Sequence, residues 1–284
     1  MTAFTIQAAD TLPAEHLHQA FTEAFADYLI GPFNLSLAQW PGLLARQGAD
    51  LALSRVAVDA QGHVLAFALA APRTRHQRWR LATMGAVPAA RGSGAAAQLL
   101  ADFSRRAQQA GCLAVELEVF AQNERARRLY ERHGFEAVDE LLGYVGSIKA
   151  SDPTDDAGLQ AVSWAEALDW LDEAESEGLA LPLQQTRLAL GVAQGQQAWR
   201  LGSALVTGAP KPDEASSFML GAVVDRQPQQ QDLQRLLAAL AAQHPQWQQW
   251  NMPQILRPSV GGEALARLGL QRQPLHQLWM QKRL

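Results

Sequence analysis

Residues 78–110 limit the fold more tightly than any other stretch. The apolar run "WRLATMGAV", residues 79–87, passes through "PAARGSG" into Ala96, Leu99, Leu100, Phe103, Ala107 and Ala110, which recur at helical spacing. A strand that turns so abruptly into an amphipathic helix must bury one face of each, which calls for a layered chain of the α/β or α+β class. The neighbouring segments continue the alternation. Gly111 closes the helix, and "CLAVELEVF" alternates with period two, setting Val115, Leu117 and Val119 on one strand face and Glu116 and Glu118 on the other. Asn123 starts a further helix with Ala126, Leu129, Tyr130 and His133 on one side, and Gly134 stops it. Upstream, "FTIQA" reads as a strand, "AEHLHQAFTEAFADY" and "LAQWPGLLARQG" as helices, and "SRVAVDAQGHVLAFALAA" as a hairpin turning at "DAQGH". "FEAVDELLGYVGSI" supplies two closing strands.

A chain of 284 residues, 48% of them hydrophobic, is long enough for two cores. The best linker is "KASDPTDDAG", residues 149–158, which lacks an apolar pattern and clusters Asp, Pro, Ser and Gly. Beyond it the same order recurs, with "LQAVSW" as a strand, "AEALDWLDEAES" as a helix and "AWRLGSALVTG" and "SFMLGAVV" as strands. "QDLQRLLAALAAQ" then forms a helix striped by Leu233, Leu236, Leu237 and Leu240. This is a degenerate internal repeat on the scale of a domain, giving domains 1–148 and 159–284. The glutamine-rich pieces "QPQQQD" and "QWQQW" are expected to face solvent. A net charge of −4 argues against a nucleic-acid partner. The opening lacks the basic start and apolar core of a signal peptide, and no run reaches membrane-spanning length, so a cytoplasmic protein without a membrane partner is the expectation. Cys112 is the single cysteine and reads as a core thiol.

The first amides of a helix have no intrahelical partner, and the helix dipole makes that end electropositive. A glycine-bearing turn at that end can therefore cradle phosphate. Gly92 and Gly94 leave room for a ligand to approach, and Arg91 adds a charge suited to phosphate. Neither the P-loop signature nor the G-x-G-x-x-G fingerprint is present. Together with "NERARRLYERHGF" at 123–135, however, "RGSGAA" at 91–96 resembles the GNAT superfamily of acetyl-CoA-dependent N-acyltransferases. Arg91, Gly94 and Ala96 fall on that family's Q/R-x-x-G-x-G/A pattern, and Asn123, Ala126, Leu129, Tyr130, Gly134 and Phe135 on its second motif. The resemblance covers residues 1 to about 148. It implies a tandem protein of two GNAT-like domains, each a mixed, mostly antiparallel twisted sheet flanked by helices. It also implies acetyl-CoA as co-substrate, with its pyrophosphate on the amides of Gly92, Ser93, Gly94, Ala95 and Ala96 and its pantetheine beside "TMGAV". Ala86, Val87, Arg91 and Asn123 are implied contacts, and a backbone amide near Val87 is the implied partner of the thioester carbonyl.

Acyl transfer from a thioester to an amine needs a neutral amine, a stabilised oxyanion and a protonated leaving thiolate. An alkylamine with a pKa of about 10.4 pays about 4.6 kcal/mol to be neutral at pH 7, which a general base lowers. Glu116 and Glu118 are the nearest candidates, the alternative being that they are solvated or pair with an arginine. By resemblance Tyr130 sits near the coenzyme A sulfur as general acid, the alternative being a packed tyrosine. Asn123 has both a capping and a cofactor role open to it, and His133, in the closing turn, reads as a cap on the helix carbonyls. No metal site is expected. "AFADYLIGPF" offers Asp27 and Tyr28 for an amine acceptor, with ordinary helix termination as the alternative. The second half lacks the cradle. "DRQPQQQDLQRLL" has no glycine and carries Pro228, and Leu268 stands where a tyrosine would be sought. The acyl group, the acceptor and a homodimer stay open, as does a non-catalytic acyl-CoA-binding or regulatory role.

Overall fold

The computed structural model describes residues 3–148, 158–193 and 195–284. Apart from Gly158, the expected linker 149–158 lies outside the described residues. The chain folds into two compact units. The first comprises Met1–Val119, Asn123–Val138 and Trp279–Leu284, and the second Phe120–Gln122 and Asp139–Leu278. These units depart from the contiguous ranges 1–148 and 159–284 at Phe120–Gln122, Asp139–Ile148 and Trp279–Leu284.

The first unit runs β1 (Thr5–Ala8), α1 (Ala14–Ala24), α2 (Trp40–Gln47), β2 (Asp50–Val58), β3 (Val64–Arg73), β4 (Arg78–Ala86), α3 (Ala95–Gln109), β5 (Ala114–Phe120) and α4 (Glu124–Arg132). Its strands lie in the order β1-β2-β3-β4-β5, all antiparallel neighbours except the parallel pair β4–β5. The hairpin turns where expected, because the Asp59 carboxylate accepts the amides of Gln61 and His63 at 2.9 Å each and Gly62 takes φ +85°. On one face of the sheet Val56, Phe67 and Leu69 share a core with Phe21 of α1 and Trp40 of α2. The other packs on α3, whose Leu99, Leu100, Phe103 and Ala107 are fully buried, with Phe103 against Trp79 at a ring separation of 6.0 Å.

The strand β6 (Glu136–Gly146) follows α4. It is one strand rather than the expected two: Gly143 lies inside it, where the register with the strand Gln249–Leu256 shifts, and a Cβ there would come to 3.0 Å from the Gln273 side chain, a close approach rather than a turn. The second unit continues with β7 (Gln160–Val162), α5 (Trp164–Ser176), α6 (Arg187–Leu190), β8 (Gln197–Leu201), β9 (Ala204–Lys211), β10 (Glu214–Asp225), α7 (Gln231–Gln243), β11 (Gln249–Leu256), α8 (Glu263–Arg267) and β12 (Gln271–Arg283). The order from β7 to β12 repeats that from β1 to β6 element for element. Again the pair flanking the long helix, β10–β11, is parallel. Leu233, Leu236, Leu237 and Leu240 of α7 are all fully buried, facing Trp199, Phe218 and Trp250. Chain order and sheet order part company at both closing strands. β6 pairs β11 antiparallel in the second unit, while Trp279–Leu284 belong to the first, where the Leu284 amide donates to Leu113 O at 3.1 Å. No helix among the described residues is long and apolar enough to cross a membrane.

Candidate active site

The turn between β4 and α3 is an open set of amides. A short 3-10 turn, Pro88–Ala90, leads to Arg91, and then Gly92 and Gly94 take φ +86° and +91°, backbone that side chains rarely adopt. A Cβ on either would meet nothing within 4 Å, so both glycines face open space. Ser93 donates its amide to Ala90 O at 3.1 Å, and Ala95 donates to Ser93 Oγ at 3.3 Å. Two of the five expected amide contacts thus already have internal partners. Among the described residues, the amides of Gly92, Gly94, Ala96 and Ala97 have none. They are the donors left for an anion.

Beside this turn the two parallel strands part. β4 and β5 are in register only from Arg78–Ala114 to Leu81–Leu117, although both run on. β4 stays paired with β3 as far as Ala86–Ala66. The Val87 amide, expected to serve a carbonyl, donates to Leu65 O at 3.0 Å and is therefore taken. Main-chain groups alternate sides along a strand, so Ala86 and Met84 turn their N–H groups away from β3, toward the gap beside β5. Ala86 is the free donor at this end of the strand.

Both candidate base carboxylates are engaged. Glu116 is 1% exposed and accepts from Arg73 at 2.8 Å, from Arg78 at 3.2 Å and from Gln281 at 3.4 Å. Glu118, whose side chain is 3% exposed, accepts from Arg80 at 2.8 Å, and Arg80 also reaches Gln47 at the end of α2. The register explains it: Arg80 lies opposite Glu116, so alternate residues of β4 and β5 put arginines and glutamates on one face. That face is covered, and the acidic edge expected to be available is a buried charge ladder. Both carboxylates are thus paired with arginines, the alternative to a general base that the sequence left open.

Tyr130 is buried on α4, its ring 6.0 Å from that of Phe135. Burial raises its pKa well above the ordinary tyrosine range, and the Tyr28 hydroxyl adds to the rise. The phenol is therefore a donor throughout the neutral range. Tyr28 itself packs edge-on against Phe25 at 4.9 Å, and burial also raises its pKa. Asn123 caps α4 by accepting the Ala126 amide at 3.2 Å. His133 Nδ1 lies 2.8 Å from Leu129 O, the carbonyl-capping role expected of it. Cys112 is half-buried rather than in the core, and burial raises its pKa, away from nucleophilic use.

Arg91 and Asp27, separate in the sequence reading, meet. The guanidinium holds the carboxylate through two bonds, one of them Nη2 to Oδ1 at 2.5 Å, and also reaches Ala24 O at 3.2 Å. Arg91 holds the Asp27 carboxyl below its ordinary value, mainly through this hydrogen bond, with Arg125 a smaller contributor. No sequence signal links two residues so far apart. Among the described residues, no three His, Cys, Asp or Glu side chains are placed to hold a metal.

The corresponding turn of the second unit is closed. Asp225, 2% exposed, accepts the amides of Gln227 at 2.9 Å and Leu233 at 3.1 Å, and the Ser203 hydroxyl at 2.7 Å. Gln230, expected in solvent, is fully buried, donating to Pro258 O at 2.9 Å and accepting the Ala264 amide at 2.8 Å. A protein carboxylate sits where the first unit leaves amides open.

Residues 14–135 match the pattern of the Acetyltransferase (GNAT) family. Over 52 residues it is 42% identical to the uncharacterized N-acetyltransferase YycN of Bacillus subtilis, a stretch covering 18% of this chain and 33% of that protein. The match thus spans about a third of the curated relative's length. Among solved structures, a GCN5-related N-acetyltransferase from Sphaerobacter thermophilus superposes with a TM-score of 0.61 at 16% identity, covering 99% of this chain and 95% of that one. A GCN5-related N-acetyltransferase from Anabaena variabilis gives 0.67 at 16% identity, covering 98% and 72%. A tandem GNAT protein from the clavulanic acid biosynthesis pathway gives 0.58 at 16% identity, covering 100% and 98%. At these identities the likeness is one of fold.

Proposed function

We propose that the protein is an N-acetyltransferase that passes the acetyl group of acetyl-CoA to a primary amine by direct attack in a ternary complex. The observation that carries this is the set of unpartnered amides on Gly92, Gly94, Ala96 and Ala97 in open space at the head of α3, within the stretch that matches the acetyltransferase family. An anion of pyrophosphate type fits such donors. The thioester supplies an acyl group activated toward amines. Ala86 offers its free amide to the carbonyl oxygen, where negative charge develops during attack. Tyr130, protonated at neutral pH, donates to the leaving sulfur. With both glutamates held by arginines, the acceptor amine sheds its proton to water, so turnover should rise with pH toward the amine's own pKa. The second unit serves as a cofactor-free companion. Incubation with acetyl-CoA and a panel of small amines, followed by free thiol release, tests the proposal.

The engaged state of Glu116 and Glu118 favours one other reading, a non-catalytic acyl-CoA-binding module. Tight acetyl-CoA binding without thiol release across the amine panel would establish it. A longer acyl donor would show itself in the same assay by outcompeting acetyl-CoA.

A further inference from the structure

The residue best placed to meet phosphate, Arg91, is bound to the loop after α1, where an acceptor amine would be sought. Its guanidinium is held by both oxygens of Asp27 and by Ala24 O, while the amides of the neighbouring turn stay open. The pair is not locked in the core: the Arg91 side chain is 26% exposed and that of Asp27 is 61% exposed. A fork that grips a carboxylate grips a phosphate equally well, since both present paired oxygens to planar donors. One guanidinium cannot satisfy both at once.

We propose that Arg91 is an exchange latch: binding of acetyl-CoA at the glycine turn draws Arg91 from Asp27 to the phosphates, and the released Asp27 carboxylate then receives the positive charge of a cationic acceptor. This rests on the acetyl-CoA reading of the turn. Two consequences follow from linkage alone. Acetyl-CoA must break the ion pair to bind, so removing the Asp27 charge strengthens its binding. The cationic acceptor binds better once acetyl-CoA is present, and the coupling is reciprocal. The acceptor class is thereby narrowed to amines carrying a further positive charge or held partly as ammonium, and the order of addition becomes acetyl-CoA first. Because the pair is solvent-exposed, the effect is modest and fades with salt.

The test is acetyl-CoA titration by calorimetry at low ionic strength with the full chain and with Asp27→Asn, Arg91→Gln and the double variant, each checked for an unchanged melting temperature. Asp27→Asn should tighten acetyl-CoA binding about two- to fivefold, the range expected for loss of an exposed ion pair. The gain should vanish in the Arg91→Gln background and shrink at 0.5 M salt. Should Asp27→Ser be needed in place of a poorly folded Asp27→Asn, the same tightening is expected. Unchanged or weaker binding by the Asp27 variants, with the native protein binding normally, overturns the latch and leaves the cofactor site standing. Absence of acetyl-CoA binding by the native chain overturns both.

Discussion

Replacing Glu116 with glutamine separates a structural carboxylate from a catalytic one. The substitution keeps shape and removes one charge from a site where Glu116 is 1% exposed and Arg73 is 7% exposed. The loss falls on Arg73 and on Arg78, 31% exposed, which pair with this carboxylate at 2.8 and 3.2 Å where solvent screens little. Removing one partner of a buried ion pair costs about 3–5 kcal/mol. For a unit of this size each kcal/mol moves the melting temperature by about 3–4 °C, so a fall of about 10–20 °C is expected. Circular dichroism melts of the full chain give the number. A companion variant, Arg73→Met with Glu116→Leu, removes both charges and should recover part of the loss, because an apolar pair of similar volume needs no desolvation. Thiol release per folded molecule, measured below the new transition, should stay within a few fold of native. A Glu116→Gln protein that melts within 2 °C of native yet has lost thiol release by orders of magnitude would refute the structural assignment and return the residue to the chemistry.

Gly94→Val places a β-branched side chain at φ +91°, at a cost of about 1–2 kcal/mol. Its Cβ enters open space, so the fold should survive while acetyl-CoA binding weakens at least about tenfold; unchanged affinity by calorimetry removes the cradle. Tyr130→Phe should lower kcat by about 100-fold, the low end for a general acid, with little change in KM for acetyl-CoA; a fully active variant makes the residue a packing element. Burial and Tyr28 raise the Tyr130 pKa above the ordinary 10.0, so the unfolded chain loses this proton first. Its contribution to stability is full below about pH 10 and is lost as the pH rises further, and the melting temperatures of native and Tyr130→Phe protein should diverge least on the alkaline side. The full chain should bind one acetyl-CoA, because Asp225 already fills the turn of the second unit; two equivalent sites by titration would contradict this.

What was legible in the sequence was local. The hairpin at "DAQGH", the stripe of α3 and the bounds of α4 were readable because turn chemistry and periodicity act over a few residues. The availability of Glu116 and Glu118 was not. An alternating strand has the same pattern whether its polar face meets water or buried arginines, and the answer depends on β4 lying parallel to β5 with Arg80 opposite Glu116. The Arg91–Asp27 pair was hidden for the same reason, joining a turn and a loop that no spacing relates. The run "FEAVDELLGYVGSI", expected as two strands, is one, with Gly143 inside it. Glycine marks a turn or a close approach with equal force, and only the neighbouring Gln273 shows that here it is the latter. Gln230 looked like part of a solvated glutamine run, yet its amide is the cap that ties α7 to the start of α8.

The two turns together bear on why the first is open. In both units a strand feeds a long helix that packs on the sheet, and each helix begins with amides that need acceptors. The second unit meets that need from within: one buried carboxylate, Asp225, takes amides at both ends of the turn, and Gln230 ties the turn down. The scaffold therefore tolerates a self-satisfied helix start, and nothing in strand or helix packing demands glycines at positive φ with unpartnered N–H groups. In the first unit only Ser93 gives a weak internal cap, to Ala95 at 3.3 Å. The two glycines cost conformational entropy on folding. A turn that could have closed on itself and instead stays open is what the proposed cofactor site calls for, and the Asp225 carboxylate shows the kind of group such a helix head accepts: oxygens bearing negative charge.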